Sequence, residues 1–274
     1  MPTFESDHSR YHYETYGDGP PLLLLHGFTG SAVSWQGVIE RLSPHFSITA
    51  VDLPGHGQTV APDDPSRYRM EHVARDLAAL IRQKLSPPVN VLGYSMGGRL
   101  ALFLALEYPQ LIRSLILESA SPGLADEVER EARRSSDDTL ADRIEAQGIE
   151  AFVDYWEAIP LFEPQRGLPD EIRLSLREQR LQNSPRGLAN SLRGMGTGVQ
   201  PSLWGRLGEL AIPVMVMAGE RDTKFAEMAR QMGVLIQGAD LRLISEAGHT
   251  IHVEKPGMFC ECVGAFLRKC GEGT

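Results

Sequence analysis

Val91-Leu92-Gly93-Tyr94-Ser95-Met96-Gly97-Gly98-Arg99 is the stretch that decides how this chain folds. The apolar run Val89–Leu92 reads as a short strand, and the Leu, Ala and Phe residues after Gly98 read as a helix. Between them, residues 93–97 spell Gly-x-Ser-x-Gly. The motif acquires meaning from that setting, strand then turn then helix. Its glycines leave room for a sharp turn that lifts the Ser95 hydroxyl above a sheet edge. The start of the helix, with its free N–H groups, favours negative charge beside that hydroxyl. A serine-based active site is the reading.

Outward from this stretch, apolar runs of strand length alternate with helical spacing. Tyr11–Tyr16 alternates weakly, and Pro21–Leu25 reads as a buried strand ending at His26-Gly27. Trp35–Leu42 is helical, and Phe46–Val51 is a second buried strand closed by the turn-rich stretch 52–57. Met70–Leu85 puts Met70, Val73, Ala74, Leu77, Leu80 and Ile81 on one helical face. Leu111–Leu117 is a further strand. This alternation predicts an α/β fold, a mostly parallel sheet flanked by helices.

The rhythm breaks at Ser121-Pro122-Gly123. From there to about Gly205 the chain reads as helices only: Ala125–Arg134, Leu140–Ala146, Ile149–Ala158, Asp170–Gln182 and Leu188–Met195. Strands return at Ile212–Ala218 and Asp240–Ile244, and Pro256–Lys269 is a last helix. The expected organisation is an α/β core in two parts, residues 1–121 and 206–274, split by a helical lid insertion over 122–205. Ligand sites of open α/β sheets lie beyond the C-terminal strand ends, where such an insertion can exclude water.

Composition narrows the function. The 274 residues are 42 % hydrophobic and 23 % charged, which is ordinary for a soluble globular chain. A net charge of −9 argues against nucleic acid or an anionic membrane surface as partner. No signal-like N-terminus and no apolar run of membrane-spanning length is present; the longest purely aliphatic run is Leu22–Leu25. Cys260, Cys262 and Cys270 lack histidines at zinc-ligand spacing. Free thiols, and with them a cytoplasmic location, are the expectation.

A serine hydroxyl is a weak nucleophile and a weak base until an imidazole takes its proton. Behind this type of turn the partners follow in the order Ser, acid, His. Asp222 lies just past the Ile212–Ala218 strand, and His249 just past the Asp240–Ile244 strand. The predicted triad is therefore Ser95, His249 and Asp222, with His252 and Asp240 as the competing histidine and acid. An oxyanion needs two N–H donors. Met96 supplies one, as the residue after the serine, and Phe28 in the loop 26–30 is the candidate for the second. Gly27 and Gly30 could equally serve only to make a turn.

Arg99 lies one turn beyond Ser95 on an otherwise apolar helix. A charge in such a place needs an anionic partner. The partner is either a structural carboxylate, Glu118 or Asp52, or a carboxylate of the substrate. The insertion holds ten arginines and no lysine, but the whole chain has four lysines, so this bias decides nothing. Trp156 is either core or cavity lining.

The chain resembles the α/β-hydrolase-fold enzymes, and closely the menaquinone-pathway 2-succinyl-6-hydroxy-2,4-cyclohexadiene-1-carboxylate synthases. The resemblance is carried by residues 93–99, 133–137, 155–162, 180–183, 187–189, 191–198 and 219–222 and covers nearly the whole chain. It implies a carbon–oxygen lyase with no cofactor and no metal, which eliminates pyruvate from a small-molecule polycarboxylate. It further implies Arg99, Arg133 and Arg180 as anion clamps, with Tyr94 and Trp156 lining the pocket. Arg134 stands beside Arg133 and competes with it. Two other readings use the same residues: a serine hydrolase (carboxylesterase or carbon–carbon bond hydrolase) acting on an acidic substrate, and a non-catalytic ligand receptor on this fold.

Overall fold

Side chains of a strand alternate between the two faces of its sheet, and a parallel sheet is apolar on both. The computed structural model, which describes residues 2–6 and 9–272, follows this rule closely. Leu23 and Leu25, Val91, Leu115 and Leu117, and Val216 pack into one core layer. Their neighbours Leu22 and Leu24, Leu92, Ile116, and Met215 and Met217 pack into a second layer on the opposite face.

The strands are β1 (Thr3–Ser6), β2 (Ser9–Tyr16), β3 (Pro21–Leu25), β4 (Ser47–Val51), β5 (Val89–Tyr94), β6 (Ile112–Glu118), β7 (Val214–Gly219) and β8 (Asp240–Ile244). They form one sheet in the order β1-β2-β4-β3-β5-β6-β7-β8. The pairs β1–β2 and β2–β4 are antiparallel and all others parallel. Helices α1 (Gln36–Leu42), α2 (Met70–Lys84) and α3 (Met96–Glu107) cover the first part of the sheet. Between β6 and β7 run α4 (Glu127–Ala158), α5 (Asp170–Leu181) and α6 (Pro185–Met195). The last elements are α7 (Thr223–Leu235), α8 (Ile251–Glu254) and α9 (Pro256–Glu272). The α2, α3 and α7 side chains fill the first core layer, and those of α1, α8 and α9 fill the second. Among the described residues, no helix is long and apolar enough to cross a membrane.

Several boundaries differ from the sequence reading. Pro109–Leu111 is a 3-10 turn, so the strand expected from Leu111 starts at Ile112. Pro213 has no N–H to give to a ladder, and the strand expected from Ile212 starts at Val214. The stretches Ala125–Arg134 and Leu140–Ala146 are one continuous helix. The polar run Ser135–Thr139 between them lacks apolar periodicity yet is helical, with Asp126 capping the N-terminus through the Glu129 N–H at 2.9 Å. A break does occur at Gly148, whose φ of 81° and ψ of 178° interrupt α4. Strand β1 and helix α7 carried no clear sequence signal of their own.

α4 and α6 pack on each other through a third core of Ala141, Ile144, Phe152, Val153, Leu188, Ala189 and Leu192. Phe28 and Trp156 rest against it. This small core carries the helices over the C-terminal strand ends.

Candidate active site

Ser95 joins β5 to α3 with φ 50° and ψ −108°, a conformation that costs energy for any residue with a side chain. Surrounding structure holds it there. A Cβ at Gly93 would sit 2.4 Å from the Gly97 carbonyl oxygen, and one at Gly97 would sit 2.2 Å from that of Leu25. The Ser95 N–H donates to the Glu118 carbonyl at 2.9 Å. The glycines of the motif are thus required by close backbone approach.

Asp222 and His249 arrive from two further strand ends. Asp222 caps α7, one carboxylate oxygen accepting from the Phe225 N–H at 3.3 Å. Its other oxygen lies 2.6 Å from His249 Nδ1, and His249 Nε2 lies 3.0 Å from Ser95 Oγ. A carboxylate can only accept, so Nδ1 carries the proton and Nε2 is left to accept from the serine hydroxyl. The His249 ring is 2 % exposed, with the edge of Phe225 against it at 4.6 Å. Glu254 braces this loop on both sides of the imidazole, accepting from the Gly248 N–H at 2.5 Å and the Thr250 N–H at 3.0 Å. Burial pushes the Glu254 carboxyl above the usual range. The three aligned groups can pass a proton from the cavity to a buried, carboxylate-stabilised imidazole.

The competing residues lie elsewhere. His252 turns its Nδ1 to the buried Glu118 at 2.8 Å, and its ring stacks near Trp35. Asp240 pairs with Arg242 at 2.6 Å.

Met96 is the first residue of α3, so its N–H has no acceptor within the helix. Phe28 follows β3 on a loop braced from below. His26 accepts from the Leu53 N–H at 3.0 Å through Nε2 and donates to the Gly27 carbonyl at 2.8 Å through Nδ1. Burial lowers the His26 pKa, which keeps the ring in the neutral form this bonding needs. His56 packs beside it at 5.1 Å, and burial takes its pKa down to about 3. Asp52 receives the Ala32 and Gln58 N–H groups and His12 Nδ1, so it has no part in the cavity.

A cavity of about 240 Å³ opens over Ser95, lined among others by Phe28, Met96, Tyr94, Trp156 and Phe162. Arg99 and Arg133 line it too, and α7 contributes Lys224, Phe225 and Met228. The Tyr94 hydroxyl is tied to Thr250 Oγ1 at 2.8 Å. Trp156 stacks on Phe152, and its buried Nε1 has no hydrogen-bond partner among the described residues.

Neither proposed structural carboxylate meets Arg99. Its guanidinium donates instead to the Met195 carbonyl at 2.9 Å and to Gln200 Oε1 at 2.8 Å. Among the described residues no carboxylate is within ion-pair distance of it. Burial, with a smaller contribution from Arg133, pushes the Arg99 pKa down to about 10 against the opposing field of Asp137. Arg133 donates from Nε to Asp137 at 2.8 Å, and among the described residues the rest of its fork has no hydrogen-bond partner. Asp137 is itself 3 % exposed, and burial raises its pKa. In the sequence this acid between two arginines figured only as the end of the stretch 133–137, with no role of its own. Arg134 turns away to Glu131 and borders a separate surface cavity.

Arg180 departs from the expectation. It is 8 % exposed and donates to Glu157 at 3.0 Å and to Gln165 Oε1 at 3.0 Å. Its guanidinium lies over the far face of Phe162, 5.2 Å from the ring centroid, and lines neighbouring cavities instead of the one over Ser95. The acid that claims it, Glu157, sits on α4 beside Trp156, and no helical spacing links it to Arg180. Among the described residues no group of three or more His, Cys, Asp or Glu side chains is placed to hold a metal ion.

A sequence profile of the α/β-hydrolase fold matches residues 20–256. A Bacillus subtilis (strain 168) protein described as a putative 2-succinyl-6-hydroxy-2,4-cyclohexadiene-1-carboxylate synthase is 44 % identical over 259 residues. The match covers 93 % of this chain and 94 % of that one. The 2-succinyl-6-hydroxy-2,4-cyclohexadiene-1-carboxylate synthase of Serratia proteamaculans (strain 568) is 32 % identical, covering 91 % and 94 %. Among solved structures, MenH from S. aureus superposes with a TM-score of 0.91 at 38 % identity, covering 95 % of this chain and 99 % of that one.

Proposed function

The chain belongs to the α/β-hydrolase-fold family, in the branch of the 2-succinyl-6-hydroxy-2,4-cyclohexadiene-1-carboxylate synthases, and we propose that it carries out their reaction. The substrate is 2-succinyl-5-enolpyruvyl-6-hydroxy-3-cyclohexene-1-carboxylate, and the step is a carbon–oxygen elimination that releases pyruvate. The observation that carries this reading is Arg99, a partly buried guanidinium on the cavity wall whose protein partners are neutral. A neutral ester gives such a charge nothing to bind, whereas a polycarboxylate does.

In this reading Ser95, His249 and Asp222 are the catalytic triad. Ser95 Oγ, its proton drawn by His249 Nε2, takes the proton from the ring carbon next to the succinyl ketone. The developing enolate oxygen is received by the N–H groups of Phe28 and Met96. The ring double bond shifts, the C–O bond to the enolpyruvyl group breaks, and the leaving enolate takes a proton to become pyruvate. No water is consumed. The imidazolium formed on the way is stabilised by Asp222. Arg99 and Arg133 hold carboxylates, and Tyr94 and Trp156 wall the ring. Residues 122–205 act as a lid that keeps water from the carbanion-like intermediate.

The test is to supply this intermediate to the purified protein and follow pyruvate in a coupled assay. Pyruvate release with slow hydrolysis of nitrophenyl esters supports the lyase. Rapid ester hydrolysis without pyruvate release replaces it with a serine hydrolase, and binding without turnover replaces it with a receptor.

A further inference from the structure

The substrate of the proposed reaction carries three carboxylates, and the cavity over Ser95 has three cationic side chains on its walls. They are Arg99, Arg133 and Lys224. The arginine expected as the third clamp, Arg180, is held behind Phe162 by Glu157 and Gln165. Lys224 reaches the cavity from α7, whereas Arg99 reaches it from α3 and Arg133 from α4. Its position follows from the same local device that sets the catalytic acid, because Asp222 caps α7 and so fixes the first turn of that helix. Phe225, next in sequence, presses on the His249 ring at 4.6 Å. Among the described residues no carboxylate is within ion-pair distance of Lys224, although the chain holds 36 acids against 27 lysines and arginines.

We infer that Lys224 is the third anion-binding group of this site, a specificity-determining residue that receives the substrate carboxylate nearest the cavity mouth. The inference rests on the lyase reading given above. The ammonium lies on an exposed side chain, where a flexible stem lets a hydrated point charge follow a moving carboxylate. Arg99 and Arg133, reaching from α3 and α4, take the deeper carboxylates. The substrate is then held at three anionic groups by side chains from three different helices, which fixes the ring for proton removal.

The experiment compares the wild-type chain with Lys224→Met and Lys224→Arg, using the enolpyruvyl intermediate as substrate. Lys224→Met is expected to raise KM by about ten-fold with kcat changed less than about three-fold, and Lys224→Arg to restore most of the loss. The salt dependence of kcat/KM should flatten in Lys224→Met, because one exposed charge contact is gone. The melting temperature should stay as in the wild type, since the side chain has no ion-pair partner to lose among the described residues. An unchanged KM in Lys224→Met, with a wild-type chain that does release pyruvate, overturns this inference and leaves the lyase reading standing. A wild-type chain that releases no pyruvate overturns the lyase reading itself. For that outcome, titration of each variant with citrate, a simple tricarboxylate, decides separately whether Lys224 binds anions. Equal affinity of wild type and Lys224→Met for citrate counts against it.

Discussion

On the floor of the cavity, at the strand ends, the reactive groups are paired with one another. Ser95, His249 and Asp222 form a closed chain at 3.0 and 2.6 Å, and the loops beneath them are braced by the half-buried Glu254 and the buried His26. On the roof, in α4 to α6, arginines are paired with whichever acid is near. Arg133 has Asp137, Arg134 has Glu131, and Arg180 has Glu157. Arg99 stands between the two regions, rooted in the floor but held by the roof residues Met195 and Gln200. The difference is one of preorganisation. The floor has its geometry before the substrate arrives, as proton transfer requires. The roof holds charges in provisional pairs that an anionic substrate can share or displace.

The floor is where removal of one atom should cost most. Ser95→Ala takes the proton acceptor from the chain while leaving the cavity walls in place. We expect kcat to fall about a thousand-fold or more, with substrate binding, read by calorimetry, changed little. Retention of full activity would break the contrast at its strongest point, because the turn would then be a structural feature only.

Arg99 tests the seam between the regions. Arg99→Ala removes a charged fork that has no acid of its own, so the loss falls on the substrate. It should cost about 2–4 kcal/mol in kcat/KM. The guanidinium stays charged across the working pH range, so the loss is one of charge and fork geometry together. An unchanged kcat/KM in Arg99→Ala would make the residue a structural strut to Met195 and Gln200 only.

The same contrast explains what the sequence could tell. Strand ends are readable because short, continuous apolar runs locate the central strands and the functional residues follow at once. Asp222 comes three residues after Gly219, and His249 five after Ile244. The elbow was readable because its residues stand together in the sequence, although only Gly93 is forced from within the turn, by Gly97 and Gly98, while Gly97 is forced by the distant Leu25 and His26 carbonyls. The roof resists such reading. Which way Arg180 points depends on Glu157, 23 residues away on another helix, and on Gln165 in a 3-10 segment between them. Arg99 lacked its expected acid because Glu118 is taken by His252 and Asp52 by His12. Lys224 was passed over because α7 itself was not foreseen, and Asp137 because a polar helix face gives no periodicity.

The floor's bracing has a cost in acid. His56 is buried and takes up its proton only near pH 3, whereas the unfolded chain takes one near 6.5. The stability tied to this difference is fully present above pH 6.5 and is lost as pH falls toward 3. At pH 5 the loss from His56 amounts to about 2 kcal/mol. Urea unfolding at pH 7 and pH 5 should show it, and His56→Gln should narrow the gap between the two pH values by about that amount. An unchanged gap would mean that the braces of the floor are less isolated from water than their burial indicates.

The smallest expected effect is also the sharpest comparison within the roof. Arg133 and Arg134 are consecutive residues of one helix with similar ion pairs, at 2.8 Å each, and similar exposure, 44 % and 39 %. Their partners and directions differ: Arg133 pairs with the buried Asp137 and lines the cavity over Ser95, whereas Arg134 pairs with the exposed Glu131 and lines a separate surface cavity. Arg133→Ala should raise KM about five-fold, less than Arg99→Ala because water screens the half-exposed fork. Arg134→Ala should leave KM within about two-fold, since the pair with Glu131 and the 3.5 Å bond to the Gly198 carbonyl that it loses involve no residue lining the cavity over Ser95. Equal effects would mean that the roof acts as a diffuse positive field rather than through the one guanidinium it turns toward the substrate. Raising the salt concentration separates these cases, because a diffuse field weakens with screening for both variants alike.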